Sequence, residues 1–226
     1  KKTKISFVRF ACHYKEVEEA LKFINYIKNK KIKIMLNLMQ ITERSSAEIT
    51  KIAKKISKSS VNVLYFADSM GGLSPNKISS IIKSLKKSWK KEIGFHAHDN
   101  MGKALINAEQ SINYGVDWID STVSGMGRGP GNLKTEYALI QFRKLIKKKI
   151  NLSPILSLID NKFKTLQAKY SWGPNVYYFL SGLYGIHPSF IQTMLNDLNL
   201  KPEEMLSIIE NLNKNKATKY NRNLIE

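Results

Sequence analysis

A chain of 226 residues with 42% hydrophobic content is long enough to bury a sizeable core and too rich in apolar residues to stay disordered. Its apolar runs, such as Val61 to Ala67, fall far short of the roughly 20 residues that a bilayer-spanning helix needs, so no membrane partner is expected. The formal charge of +19 points toward polyanions, yet the cations are nearly all Lys, with Arg only at Arg9, Arg44, Arg128, Arg143 and Arg222, and they cluster on the polar faces of predicted helices; a solvated basic surface is expected, and no nucleic acid.

The basic start, Lys1 to Lys4, leads straight into a strand-like run without a signal-peptide cleavage site, and the single cysteine, Cys12, excludes an internal disulfide framework. Both fit a cytoplasmic protein. Short β-rich runs recur at Ile5–Ala11, Ile32–Leu38, Val61–Ala67, Glu92–His96 and Val116–Thr122. Between them Lys15–Asn29, Ser46–Ser57, Pro75–Lys90 and Gly102–Tyr114 carry apolar residues at helical spacing, for instance Val17, Leu21, Ile24 and Ile27. The alternation predicts βαβ units and a parallel sheet, either an open doubly wound sheet or part of a (β/α)₈ barrel. After Lys149 the pattern turns to helices alone, at Pro154–Lys169, Pro188–Leu198 and Pro202–Asn213, with the Gly- and Pro-bearing stretch Trp172–Pro188 between the first two. Residues 1–150 are therefore expected to form the α/β part, and 151–226 a C-terminal helical region.

Three segments carry candidate chemistry. In Gly94-Phe95-His96-Ala97-His98-Asp99-Asn100 two histidines stand at i and i+2 of a strand, where side chains share a face, and two neutral imidazoles side by side make half a divalent-metal site. Gly125-Met126-Gly127-Arg128-Gly129-Pro130-Gly131-Asn132 is rich enough in glycine for its N–H groups to approach an anion, but it follows the wrong strand for a dinucleotide fingerprint. Ala67-Asp68-Ser69-Met70-Gly71-Gly72 ends a strand, where a barrel enzyme places functional groups.

Together these segments resemble the metal-dependent aldolases and lyases of the HMG-CoA lyase-like superfamily, above all its 4-hydroxy-2-oxovalerate aldolase branch. Val8-Arg9-Phe10-Ala11-Cys12-His13 is similar to that branch's fourth barrel strand, Leu64 to Gly72 to its sixth, Gly94 to Asn100 to its seventh, and Asp120 to Gly127 with Gly131-Asn132 to its eighth strand and following loop. The resemblance implies a TIM barrel of which strands four to eight are present. It implies metal ligation by His96 and His98, with Asn132 as a ligand or neighbour, and substrate contact by Ser69. It also implies a catalytic tyrosine at Tyr177, within Gly173-Pro174-Asn175-Val176-Tyr177, where the adjacent Tyr178 allows a shift of one residue. The implied cofactor is a divalent metal, Mn²⁺ or Mg²⁺, and the implied substrate a small 2-oxo acid; a homo-oligomer or a dehydrogenase partner is compatible with the family.

Two departures qualify the likeness. The family's first strand supplies an acidic third ligand, a preceding Arg and a nearby His base, and no such motif precedes Ile5; His13 matches the fourth strand instead and reads as structural. After Tyr178 the tail, Leu180 to Pro188, has no counterpart. The alternatives are an acetyl-CoA-dependent acyltransferase of the isopropylmalate or homocitrate synthase type, told apart by thiol release, and a non-catalytic partial-barrel binding module.

Overall fold

The computed structural model describes residues 4–27, 32–145, 149–196 and 198–225. The predicted alternation is realised as β1 (Phe7–His13), α1 (Val17–Tyr26), β2 (Lys33–Met39), α2 (Ser46–Ser57), β3 (Val63–Asp68), α3 (Pro75–Lys86), β4 (Glu92–Ala97), α4 (Ala104–Asn113) and β5 (Trp118–Ile119). The start of the chain, Lys1 to Thr3, and the far end of the predicted helix Lys15–Asn29 lie outside the described residues. Among the described residues no helix is long and apolar enough to cross a membrane.

Local chemistry sets these boundaries. Ser45 caps α2, accepting from the Glu48 N–H while Glu48 Oε2 accepts from the Ser45 N–H at 2.9 Å. Ser74 caps α3 and Pro75 occupies its first position, where no N–H is needed. β3 starts two residues later than expected because the Asn62 side chain takes over a ladder position, its Oδ1 accepting from the Ile34 N–H at 2.8 Å. β5 is shorter than expected because at Thr122 the chain leaves the sheet, its N–H donating to Leu133 O at 2.9 Å.

The chain divides into two compact units. The first is Lys1–Ser69, Ser74–His96 and Asn107–Asp120; the second is Met70–Leu73, Ala97–Ile106 and Ser121–Glu226. In the sheet the strands run in the order β1-β2-β3-β4-β5, with β1–β2, β2–β3 and β4–β5 parallel. A doubly wound sheet reverses its order at a switch point, and this one does not, which is barrel topology. The register pairs Arg9 with Met35, Ala11 with Asn37, and Asn37 with Tyr65, so alternate residues of neighbouring strands share one face.

On the helix-facing side Ile34, Leu36, Leu38, Leu64, Phe66 and Phe95 are buried with Ile49, Ile56, Ile78, Ile82 and Leu85 of α2 and α3, and the Phe66 and Phe95 rings stack at 4.8 Å. At about 25 cal/mol per Å² of apolar surface removed from water, this layer is the main source of the first unit's stability. The opposite face holds Met35, Val63 and Tyr65 with Trp118 packed against them. Below them Glu92 accepts from Lys33 Nζ at 2.8 Å and from Trp118 Nε1 at 3.2 Å. Gly94 is required here: a Cβ would lie 2.4 Å from the Tyr65 ring.

The second unit is mostly helical: α5 (Thr135–Gln141), α6 (Ser153–Leu158), α7 (Lys164–Tyr170), α8 (Val176–Tyr184), α9 (Pro188–Asn196) and α10 (Pro202–Lys214), with a π-helical turn, Ile159–Phe163, joining α6 to α7. Tyr178, Ile186, Phe190, Met194, Met205, Ile209 and Leu212 form its core. α5 and α8 lie where no helix was expected. Asn175 starts α8 by accepting from the Tyr178 N–H at 2.9 Å, and Gly185, at φ +66°, ends it.

Candidate active site

Four side chains meet on the inner face of the first unit. Asp120, just past β5, accepts from the Arg9 guanidinium at 2.5 Å and is bonded to His96 Nδ1 at 2.8 Å, both through Oδ2. The Arg9 guanidinium also lies 4.7 Å from the centre of the Tyr65 ring. Burial alone would raise the Asp120 carboxyl, but the His96 hydrogen bond and the Arg9 charge outweigh it and hold the group below the usual carboxylate range. The same burial, with the Asp120 charge added, pushes the Tyr65 hydroxyl up to about 12. A carboxylate on Nδ1 fixes the imidazole tautomer, proton on Nδ1 and lone pair on Nε2, which is how metal-ligating histidines are commonly oriented.

Ser69 ends β3's loop side of the same unit, and its hydroxyl accepts from the Gln40 N–H at 3.0 Å, where Gln40 adopts a left-handed conformation. A hydroxyl that accepts one bond still has a proton to donate. Asn37 is buried on the inner face, and its Oδ1 has no hydrogen-bond partner.

In the second unit the glycine-rich loop is folded onto the chain that follows β4. His98 and Asn132 are paired in an isolated antiparallel bridge, the Asp99 N–H donates to Gly131 O at 3.1 Å, and the Leu133 N–H to Ala97 O at 3.2 Å. The Asn132 amide nitrogen donates to Met126 O at 3.1 Å, so the amide oxygen is the end suited to a cation. Gly127 lies where a Cβ would come within 2.3 Å of that nitrogen. Ser124, left-handed at φ 53°, is pinned by its N–H donating to the buried Glu136 carboxylate at 3.1 Å. Trp172 Nε1 donates to Ser124 O at 3.0 Å, and the Gly173 N–H to Gly129 O at 2.9 Å, so residues from the helical tail staple the loop at two points.

Of the adjacent tyrosines, Tyr177 is half-buried against the helical core. Tyr178 is buried, its hydroxyl 3.0 Å from where a Gly129 Cβ would sit, and burial raises it to about 12 despite the nearby Arg128 charge. Sequence reasoning missed the Arg9–Asp120 link and Tyr65. The available signal was parity: a lone Arg in a strand run and an Asp at a strand's end, each an even number of residues from other inner-face positions. Among the described residues no group of three or more His, Cys, Asp or Glu is gathered to hold a metal. Within the first unit His96 is oriented by the Asp120 carboxylate, and within the second His98 and Asn132 are brought together by their backbone bridge.

Residues 7–161 match the HMGL-like family, and the chain belongs to it. It is 29% identical over 157 residues to 4-hydroxy-2-oxovalerate aldolase of Geobacillus thermodenitrificans, a match covering 69% of this chain and 46% of that protein. The chain thus spans about half the length of that relative. The N-terminal domain of a Bacteroides vulgatus protein described as an aldolase superimposes with a TM-score of 0.76 at 30% identity, covering 85% of this chain and 64% of that one. The Bacillus subtilis HMG-CoA lyase superimposes at 0.62 and 18% identity, covering 75% and 65%, and shares the fold. The five strands are part of the TIM-barrel fold of these proteins, as their order and parity indicate.

Proposed function

We propose that the protein is a divalent-metal-dependent aldolase that cleaves or forms a carbon–carbon bond next to a small 2-oxo acid, with a pyruvate enolate as the common intermediate. Residues 1–150 supply the metal- and substrate-binding side chains, and the helical region 151–226 supplies the tyrosine. The observation that carries the reading is the bond between Asp120 and His96 Nδ1, in a histidine two residues before His98 on the chain. The relatives named 4-hydroxy-2-oxovalerate aldolase support the substrate class.

His96 and His98 would hold the ion, Mn²⁺ or Mg²⁺, with Asn132 as a further ligand or neighbour. When bound, a divalent ion supplies Lewis acidity that polarises the keto oxygen and stabilises the enolate. Ser69 donates its hydroxyl proton to the substrate while its oxygen stays with the Gln40 N–H. We assign the proton-donating role to Tyr178, one residue past Tyr177, because its hydroxyl lies against the glycine loop. A dehydrogenase that consumes the aldehyde product, or a second copy, is the partner we propose.

The reading is tested on the complete protein with 4-hydroxy-2-oxo acids. Pyruvate release should stop with EDTA and in a His96→Ala/His98→Ala variant, and borohydride should trap no lysine adduct. Activity that survives EDTA, or a trapped Schiff base, would overturn it.

A further inference from the structure

We infer that Asp120 is a positioning residue for the His96 imidazole, anchored in turn by Arg9 from the strand at the other end of the sheet order. The role of His96 as a ligand rests on the function proposed above; the positioning rests on the contacts of Asp120 with Arg9 and His96 alone. One carboxylate oxygen, Oδ2, meets both the Arg9 guanidinium at 2.5 Å and His96 Nδ1 at 2.8 Å. A carboxylate that accepts from both groups has its direction set by the cation and passes that direction to the ring. The proton then stays on Nδ1 and the lone pair on Nε2, and the ring plane is held by a group on a different strand from its own.

The bond has no equivalent written into β4. His96 and Asp120 are separated by α4 and β5 in the chain, and the Asp120 N–H donates to Phe95 O at 3.0 Å, which places the carboxylate beside the residue after Phe95. Backbone register therefore aligns donor and acceptor before either side chain chooses a rotamer. Tyr65 flanks the pair through its interactions with both Arg9 and Asp120, and Gly94 makes room for its ring.

The test reads the tautomer directly in the metal-free chain, by nitrogen–proton correlation spectra of ¹⁵N-histidine-labelled protein, with His96→Ala identifying the signal among the four histidines. Wild type should show His96 protonated on Nδ1. Asp120→Asn, which keeps an acceptor oxygen, should retain that state, and Asp120→Ala should let the ring exchange between tautomers. If the Ala variant does not fold, the wild-type and Asn spectra decide. Titration with Mn²⁺ alone should show about 10- to 100-fold weaker binding in Asp120→Ala, the usual cost of losing a ligand's outer partner. A wild-type proton on Nε2, or an unchanged tautomer in Asp120→Ala, would overturn the inference. If the tautomer follows Asp120 while Mn²⁺ binds wild type and His96→Ala equally, the positioning stands and the metal assignment above fails.

Discussion

Arg9 on β1 and Asp120 just past β5 sit at opposite ends of the five-strand order, yet their side chains meet at 2.5 Å. Strands spaced by ~4.8 Å would put the outer two roughly 19 Å apart in a flat sheet, well beyond what these two side chains span together. The inner face of the first unit must therefore be strongly concave. The ion pair is a direct mark of barrel curvature.

Replacing Arg9 with Met should remove that bridge and leave a half-buried carboxylate held by His96 without its cation. Both side chains are partly solvated, at 36% and 21% exposure, so the expected loss is modest, ~1–2 kcal/mol. Urea unfolding should show a lower midpoint with an unchanged slope. An unshifted midpoint would mean that the bridge adds nothing to stability.

Gly94→Ala should be worse than its size implies. The added methyl meets the Tyr65 ring at 2.4 Å, and the ring is itself buried against Met35, Val63 and Trp118. Overpacking of this kind costs ~1–3 kcal/mol. Thermal unfolding followed by near-UV circular dichroism should show both a lower Tm and an altered tyrosine–tryptophan signal; native values for both would show that the ring can yield.

Cys12 should resist alkylation in the folded chain at pH 8. It faces the helix side of β1 at 5% exposure, and burial, with the Glu16 charge, raises its thiol to about 11. The neutral form is thus favoured by folding: this contribution is full below the unfolded thiol's ordinary value and is lost as pH rises through about 11. Iodoacetamide labelling should be slow at neutral pH, faster in urea, and should accelerate in the native protein only toward strongly alkaline pH. Rapid native labelling at pH 8 would contradict the burial.

Metal preference follows from the donor set proposed above. Two imidazoles and an amide, with no third acidic or sulfur ligand clustered among the described residues, suit borderline ions better than hard ones. Calorimetric titration of this chain should give Zn²⁺ or Ni²⁺ binding tighter than Mg²⁺ by on the order of tenfold or more. Tight Mg²⁺ binding would show that a carboxylate such as Asp68, Asp99 or Asp120 joins the site.

The βα units were readable because period-2 apolar runs and capped amphipathic helices are local signals, as at Ser45 and Ser74. α8 was hidden by the Gly and Pro residues around it, although Asn175 was a legible cap. The histidines stood out by spacing on one strand. The Arg9–Asp120–His96 link did not, since it joins residues 111 apart and depends on sheet curvature, which no local pattern encodes. Tyr177 and Tyr178 differ by one helical step, and the motif does not say that it is the Tyr178 hydroxyl that lies against the glycine loop.

The π-helical turn Ile159–Phe163 has a consequence for length rather than for composition. The half-buried positions from α6 to α7 are Leu152, Ile155, Ile159, Phe163 and Gln167, the last four spaced by four residues, while their neighbours are exposed. In a plain α-helix such spacing drifts by ~40° per step, and one wider turn absorbs the drift. Gln167 is thereby kept in phase to donate to Trp172 O at 3.0 Å, and Trp172 to hold Ser124. Deleting a single residue from the turn would rotate Gln167 by ~100° and undo that chain of contacts as far as the glycine loop. This helix should accept almost any substitution on its outer side and no insertion or deletion in its middle.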